Sequence, residues 1–144
     1  MFSVHVRRTD YIDWIKDRYK GQEVGKEFFL QTIQDFLTED PSCLFLVTSD
    51  DLDWCRENLK HPRLVFPDLP SSSVDPVVRD FILMTQTNHS IYDYGSFAFW
   101  GAVLAGGRTR LAGNYSRLSH SVLLSLNKHP IPDWTVVDVR SIVQ

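Results

Sequence analysis

The order of apolar and polar segments predicts an α/β domain, with a parallel sheet that carries helices on both faces. Short apolar runs with the character of buried strands alternate along the chain with longer segments of helical periodicity. Such alternation is typical of strand–helix–strand units, in which the strands run in the same direction. The chain has 144 residues, and we expect residues 1–144 to form a single domain.

Five short segments are predicted to form the strands of this sheet. Each is a run of mainly apolar residues bounded by polar residues, glycine or proline. They are residues 2–6, 44–47, 63–66, 89–92 and 108–112. Because ligands of such folds bind beyond the carboxyl ends of the strands, the residues that follow these segments are candidates for a binding site.

Three segments between the strands are predicted to be helices. Residues 27–37 place several apolar side chains on or near one face of a helix. A second helix follows the strand at 44–47 and runs to about Leu59. Asp75 and Pro76 begin a third helix, with the aspartate as its N-cap and the proline in its first turn.

A fourth helix is predicted between Gly95 and a pair of glycines that begins at Gly106. Gly95 and Ser96 open it, and residues 97–105 are apolar nearly all round, which predicts a buried helix. Free N–H groups and the positive end of the helix can bind an anion there, although the same residues can also be an ordinary cap. The aromatic residues expected in the core are Trp54, Phe97, Phe99 and Trp100.

Composition and charge argue against several classes of function. The formal net charge of −3 is unsuited to bulk nucleic-acid binding, which needs a basic face. No apolar run reaches the roughly 18 residues of a membrane span, and because charges come early we expect the first residues not to be a signal peptide. Cys43 and Cys55 are expected to be small buried hydrophobes, since no Cys/His cluster has zinc spacing. Because the chain begins inside a strand, we expect that an upstream segment is missing.

The first strand ends in charged residues whose chemistry suits a phosphate. His5 and Arg7 share one face of an extended chain, because strand side chains alternate between faces. The planar guanidinium of Arg7 can donate two parallel charge-assisted hydrogen bonds to a diphosphate. Arg8 points to the other face and can pair with Asp10 or another acid to hold the loop. A surface cluster of salt bridges has the same composition, so both interpretations remain open.

Carboxylates follow a second strand and begin a predicted helix. Ser49 or Asp50 can cap the helix after the strand at 44–47, and the adjacent Asp50 and Asp51 can also bond ribose hydroxyls. Asp80 is either a solvated residue of its helix or a partner for the N1–H and N2–H₂ donors of guanine. The sequence contains no Walker loop and no GxGxxG, which excludes a P-loop NTPase and a conventional dinucleotide-binding motif.

Taken in order, these residues resemble the galactoside α1,2-fucosyltransferases, the blood-group H type family. The segment VHVRRTDY at 4–11 resembles the family's HxRRxDY block, and VTSDDLDWCRENL at 47–59 resembles its second block. The third block is matched by 79–91 together with 94–101, and residues 114–115 lie in the fourth. Four blocks in the same order occur by chance far less often than one short motif, so the resemblance is specific.

The resemblance implies inverting transfer of L-fucose from GDP-fucose to O2 of a terminal galactose on a glycan. It implies that residues 1–144 are a Rossmann-like GDP-fucose-binding domain, the carboxyl-terminal half of a GT-B-like enzyme that needs no metal or other cofactor. Arg7 is the expected catalytic residue on the β-phosphate, where it would stabilise the charge that develops on GDP as the C1–O bond breaks. Inversion also requires a general base, which the residues do not identify.

The same resemblance gives roles to further residues. By analogy with the related α1,6- and protein O-fucosyltransferases, His5 and Asp80 would lie against guanine. Asp50 or Asp51 would lie near the base or ribose, and Ser96 near the phosphates. The full set of candidate substrate-binding residues is His5, Arg7, Arg8, Asp50, Asp51, Asp80, Gly95, Ser96 and Phe97.

The resemblance also implies a cellular location. Animal members are Golgi type II membrane proteins with luminal catalytic domains, so we expect the full-length protein on the luminal face of the Golgi membrane. The membrane anchor would lie outside this chain. Two Asn-x-Ser sequons make Asn88 and Asn114 candidate glycosylation sites in that location.

Two alternatives to the α1,2 function remain open. Thr9 stands where vertebrate α1,2 enzymes usually have glycine, and the string Arg-Arg-Thr-Asp also occurs in α1,6 enzymes. One alternative is therefore a fucosyltransferase of another linkage, of the α1,6 or protein O-fucosyltransferase kind. The other is a fragment that binds a nucleotide sugar and transfers nothing.

Overall fold

A computed structural model of the chain describes residues 1–67, 74–118 and 121–142. In this part of the chain, six strands form one sheet in the order β3-β2-β1-β4-β5-β6, and every neighbouring pair is parallel. The predicted parallel sheet is therefore confirmed. The strands are β1 (Phe2–Val6), β2 (Phe45–Ser49), β3 (Leu64–Val65), β4 (His89–Tyr92), β5 (Thr109–Gly113) and β6 (Trp134–Asp138).

Helices connect the strands and cover both faces of the sheet. They are α1 (Thr9–Tyr19), α2 (Lys26–Glu39), α3 (Leu52–Asn58), α4 (Pro76–Thr85), α5 (Ser96–Ala105) and α6 (Ser121–Lys128), with a 3₁₀ turn at Val139–Ser141. The four predicted helices correspond to α2, α3, α4 and α5, whereas α1, α6 and β6 were not predicted. Of the described helices, none combines the length and the apolar character that crossing a bilayer requires.

Two apolar clusters, one on each face of the sheet, form the core. Successive strand residues point to opposite faces. Val4 packs with Ile33 of α2 in the first cluster, whereas Leu111 packs with Ala102 of α5 and Met84 of α4 in the second. The Rossmann-like architecture expected from the sequence is thus present.

The sheet has a topological switch point between β1 and β4. From β1 the chain proceeds to β2 and β3 on one side, and then crosses to β4, β5 and β6 on the other side. In open α/β sheets, ligands bind in the crevice that forms outside the carboxyl ends of the strands at such a point. Here the crevice lies beyond Val6 of β1 and Tyr92 of β4.

The prediction that α5 is buried is wrong for the outer face of this helix. Ala98 and Ala102 are fully buried, but Trp100 is 56% exposed and Leu104 is 61% exposed. A helix packed on a sheet contacts it along one stripe, so an apolar sequence does not by itself bury the opposite stripe. The other aromatic side chains assigned to the core are only partly buried: Trp54, Phe97 and Phe99.

Aspartates cap the two helices that follow β2 and β3. The Asp51 carboxylate accepts the backbone N–H of Trp54 at 3.1 Å, so Asp51 is the N-cap of α3 rather than either of the two residues before it. Asp75 accepts the N–H of Val77 at 2.8 Å and caps α4, which confirms that prediction.

Cys43 and Cys55 form no disulfide. Cys55 is buried, as expected, and burial raises the pKa of its thiol to about 11, so it packs as a protonated hydrophobe. Cys43 is only partly buried, because it lies at the loop that leads into β2.

Candidate functional site

A cavity of about 420 Å³ opens at the carboxyl ends of β1, β2 and β4. The amino-terminal turns of α4 and α5 complete its wall. The structure thus brings together the strand ends that the sequence assigned to one edge of the sheet. The residues that line the cavity are His5, Arg7, Tyr11, Ser49, Asp50, Pro76, Val77, Arg79, Asp80, Tyr94, Gly95, Ser96 and Phe97.

Arg7 and the first turn of α5 face the same cavity. Gly95 is the N-cap of α5, with a φ of 97° and no side-chain cap. Its carbonyl accepts the N–H of Phe99 at 3.2 Å, so the N–H groups before Phe99 precede the helical ladder. The cavity therefore receives a guanidinium and the positive end of a helix together, and this arrangement suits a multiply charged anion.

Two carboxylates hold the guanidinium of Arg7. Its Nη1 donates to Asp50 at 2.8 Å, and its Nη2 donates to Asp10 at 2.6 Å. Asp50 also accepts the backbone N–H of Arg8 at 2.8 Å and the hydroxyl of Thr9, so it ties the loop after β1 to the end of β2. The Arg7 side chain remains 32% exposed and is accessible from the cavity.

Arg8, which is also predicted to bind substrate, lies away from the cavity. Its guanidinium carbon is 3.8 Å from the centroid of the Trp54 ring, and its side chain is 12% exposed. It forms ion pairs with Glu23 at 3.5 Å and with Asp51 at 3.6 Å. Because side chains alternate between faces along an extended chain, Arg8 points to the face opposite Arg7. Asp51 caps α3 and pairs with Arg8 on that side. Neither Arg8 nor Asp51 lines the cavity.

His5 is buried in the cavity wall as a neutral imidazole. Its Nδ1 lies 3.0 Å from Oγ1 of Thr48, and its ring centroid lies 5.2 Å from that of Phe97. Burial lowers the pKa of His5 to about 4, and this effect exceeds the opposing attraction of Asp50. At neutral pH His5 therefore offers hydrogen bonding and an aromatic ring rather than a positive charge.

Asp80 is buried at the same part of the wall. One carboxylate oxygen accepts from Nε of Arg79 at 2.9 Å and from Nη2 at 2.7 Å. Burial raises the pKa of Asp80, although the hydrogen bonds from Arg79 and from the backbone of Ser49 act against this rise. Arg79 is a second cation in the cavity lining. It was not among the predicted site residues, although its position next to Asp80 in the sequence indicated that it could reach the site.

Two tyrosines in the cavity wall were also missed. The rings of Tyr11 and Tyr94 stack with a centroid separation of 4.8 Å. Burial raises the pKa of Tyr11 to about 12 and that of Tyr94 further, so both phenols are protonated at neutral pH and neither is a candidate base. Tyr94 precedes Gly95 in sequence, and Tyr11 belongs to α1, which the sequence did not predict.

The acidic residues of the cavity pair with arginines rather than with one another. Asp50 faces Arg7, and Asp80 faces Arg79. Within residues 1–67, 74–118 and 121–142, no group of three or more His, Cys, Asp or Glu is arranged to hold a metal ion. The expectation that activity needs no metal stays a prediction.

Both sequon asparagines are exposed at the surface. Asn88 accepts from the amino terminus at 3.3 Å, and the Asn114 side chain donates to Asp138 at 2.7 Å. Glycosylation of the two asparagines stays a prediction.

Comparisons with known proteins identify the family of this chain. The family described as Glycosyl transferase family 11 matches residues 1–137. Galactoside 2-alpha-L-fucosyltransferase SEC1 of Bos taurus is 38% identical over 116 residues, which are 79% of this chain and 31% of that protein. Galactoside alpha-(1,2)-fucosyltransferase 2 of Pongo pygmaeus is 36% identical over 138 residues, or 92% of this chain and 39% of that protein.

A third relative extends the match almost to both ends of the chain. Galactoside alpha-(1,2)-fucosyltransferase 1 of Ateles belzebuth is 37% identical over 142 residues, which are 94% of this chain and 38% of that protein. The chain thus spans 31–39% of the length of these three relatives. The resemblance drawn from four short blocks is confirmed, and the chain belongs to glycosyl transferase family 11.

Proposed function

We propose that this chain is the GDP-fucose-binding domain of an enzyme that transfers L-fucose to O2 of a terminal galactose on a glycan. The observation that carries the proposal is the convergence of Arg7 and the first turn of α5 on one cavity at the β1–β4 switch point. The names of the relatives supply the sugar and the linkage. Because the chain spans 31–39% of those relatives, the activity is proposed for the whole enzyme.

The phosphate end of the cavity accounts for stabilisation of the leaving group. As the C1–O bond breaks with inversion, negative charge develops on the β-phosphate of GDP. The Arg7 guanidinium and the N–H groups after Gly95 bind this charge most strongly in the transition state. Asp10 is 79% exposed, so it can release Arg7 to water and to the diphosphate at small cost, while Asp50 keeps Arg7 in place.

The other end of the cavity suits guanine. Neutral His5, the Asp80 carboxylate and the ring of Phe97 line one wall. Asp80 can accept the N1–H and N2–H₂ donors of guanine, because each carboxylate oxygen accepts more than one hydrogen bond. The cavity volume of about 420 Å³ lies within the range of roughly 300–1,000 Å³ for small-molecule sites.

The cellular setting is part of the same proposal. The relatives are fucosyltransferases, a class that typically acts in the Golgi, and we place this domain on the luminal face of the Golgi membrane. The membrane anchor and the acceptor-side region are proposed to lie in the part of the relatives' length that this chain does not span. Arg7 and a helix terminus supply positive charge at the diphosphate, which supports transfer without a metal.

Transfer to a galactoside with determination of the product linkage tests this function. The longest form of the protein is incubated with GDP-fucose and, in separate reactions, a phenyl β-galactoside, an N-glycan and a peptide, and NMR identifies the bond that forms. The proposal expects fucose α1,2-linked to galactose. Transfer to the N-glycan core or to a peptide hydroxyl would favour a fucosyltransferase of another linkage. GDP binding without transfer would leave a nucleotide-sugar-binding module, and absence of GDP binding would contradict the proposal.

A further inference from the structure

One buried carboxylate contacts the main chain on both sides of the switch point. Asp93 follows β4 and is 1% exposed, and it does not line the cavity. Its Oδ2 accepts the backbone N–H of Arg7 at 2.8 Å, and its Oδ1 accepts the backbone N–H of Tyr94 at 2.7 Å. Arg7 is the first residue after β1, and Tyr94 directly precedes the N-cap of α5.

These hydrogen bonds extend the link between β1 and β4 past the end of the sheet. The last backbone pair of the two strands is His5 with Tyr92, and the crevice opens beyond it. The Asp93 side chain bonds to Arg7 at this opening. The contact fixes the main chain of Arg7 relative to the residues that lead into α5.

The chemistry of Asp93 points to a function beyond packing. Burial of a carboxylate is costly, and burial raises the pKa of Asp93 well above its usual range. An apolar side chain would avoid this cost but would leave two N–H groups at the crevice without their acceptor. The two oxygens of one aspartate satisfy both N–H groups at once.

We propose that Asp93 is a positioning residue that holds Arg7 at the distance from the first turn of α5 at which both bind one diphosphate. This inference rests on the proposed function. Asparagine has nearly the same shape, but it offers one acceptor oxygen and turns an NH₂ donor toward the second N–H. We therefore expect Asp93→Asn to loosen the contact with Arg7 and to leave the wall at His5 and Asp80 in place.

The test compares two ligands on three proteins by isothermal titration calorimetry. The ligands are GDP and guanosine, and the proteins are the wild type, Asp93→Asn and the control Ser90→Ala. Ser90 is also 1% exposed and lies on β4, but it bonds to Ser3 away from the cavity. We expect Asp93→Asn to weaken GDP binding by about tenfold. Its guanosine binding should equal that of the wild type, and Ser90→Ala should change neither affinity.

Hydrogen exchange of the Arg7 amide in the absence of ligand gives an independent measurement. We expect faster exchange of this amide in Asp93→Asn, whether or not the protein binds GDP. If the wild type fails to bind GDP while the exchange rate changes as expected, the proposed function is wrong and the contact with Arg7 stands. If Asp93→Asn does not fold, Asp93→Thr, whose hydroxyl can accept from one N–H, replaces it. Equal losses for both ligands, unchanged GDP affinity or unchanged exchange would overturn the proposal.

Discussion

The guanidinium of Arg7 and the carboxylate of Asp50 lie 2.8 Å apart, across the carboxyl ends of β1 and β2. Asp50 also accepts the backbone N–H of Arg8 at 2.8 Å. One carboxylate therefore fixes both the side chain of the proposed phosphate ligand and the loop that carries it. Because these groups are already in place before the ligand binds, little free energy is spent on moving them when charge develops on the leaving group.

Substitution of Asp50 tests whether this contact supports binding. We expect Asp50→Ala to weaken GDP binding by about three- to tenfold, because Arg7 and the Arg8 N–H lose a shared charged partner. Calorimetry with GDP measures the effect. Asp53→Ala is the matched control, since Asp53 lies on α3 with its side chain 95% exposed. Tighter GDP binding by Asp50→Ala would mean that Asp50 mainly competes with the ligand.

A methyl group at Gly95 tests the importance of the α5 terminus. The φ of 97° is strained for any other residue, and a Cβ at Gly95 meets nothing within 4 Å. The cost of Gly95→Ala is therefore a backbone cost, of about 1–3 kcal/mol in the free energy of unfolding. Relaxation of this strain would turn the first N–H groups of α5, so we expect GDP affinity to fall as well.

The other end of α5 provides the matched control for that experiment. Gly106 has a φ of 76°, and a Cβ there also meets nothing within 4 Å. Gly106→Ala should cost about 1–2 kcal/mol of stability without any loss of GDP affinity. Chemical denaturation and calorimetry on both variants separate the two effects. Equal GDP affinities for Gly95→Ala and Gly106→Ala would remove α5 from the phosphate site.

The neighbouring arginines are expected to differ in their roles. Arg8 stacks on Trp54 and is 12% exposed, so Arg8→Ala should lower the free energy of unfolding by about 1–2 kcal/mol. Its GDP affinity, measured on folded protein, should match the wild type. Arg56→Ala is a control for a more exposed arginine, whose guanidinium carbon lies 5.8 Å from the Phe66 ring centroid. A loss of GDP binding in Arg8→Ala would restore Arg8 to the site.

His5 is expected to make stability depend on pH. Its pKa is lowered from 6.5 to about 4 in the folded protein, so between these values the unfolded chain binds more protons. The contribution of His5 to the free energy of unfolding is complete above pH 6.5. It is lost as pH falls toward 4, by at most about 1.4 kcal/mol per pH unit. Denaturation across this range should show a shallower slope in His5→Gln than in the wild type. The exposed His129→Gln is the control, and parallel slopes in all three proteins would contradict this assignment.

The sequence predicted the elements whose signals are local. Proline after aspartate marked the start of α4, and the glycines around residues 97–105 marked both ends of α5. Neither end of α1 has such a signal. Its N-cap is Arg8, which makes no side-chain cap, and its C-cap is Lys20, a non-glycine residue in a left-handed conformation. Strand β6 is defined mainly by its pairing with β5, a contact that the spacing of apolar residues does not reveal.

The candidate site was predictable where strand ends carry unusual residues. His5, Arg7, Asp50 and Asp80 line one cavity as expected, and Gly95, Ser96 and Phe97 join them. Other positions depend on tertiary structure. The turn after β1 directs Arg8 to Trp54, and a buried contact between strand ends gives Asp93 its place. No pattern of residue types along the chain encodes those two contacts.

Calorimetric titration of GDP into the wild type, Arg7→Lys and Arg108→Lys tests the central claim most directly. Arg108 lies before the amino end of β5, where it pairs with Glu39, and it serves as the control. Lysine keeps the charge but cannot donate as a planar fork, so we expect Arg7→Lys to bind GDP at least about tenfold more weakly. Arg108→Lys should bind like the wild type. No binding of GDP to the wild type, or equal affinities in all three proteins, would contradict a diphosphate site at Arg7.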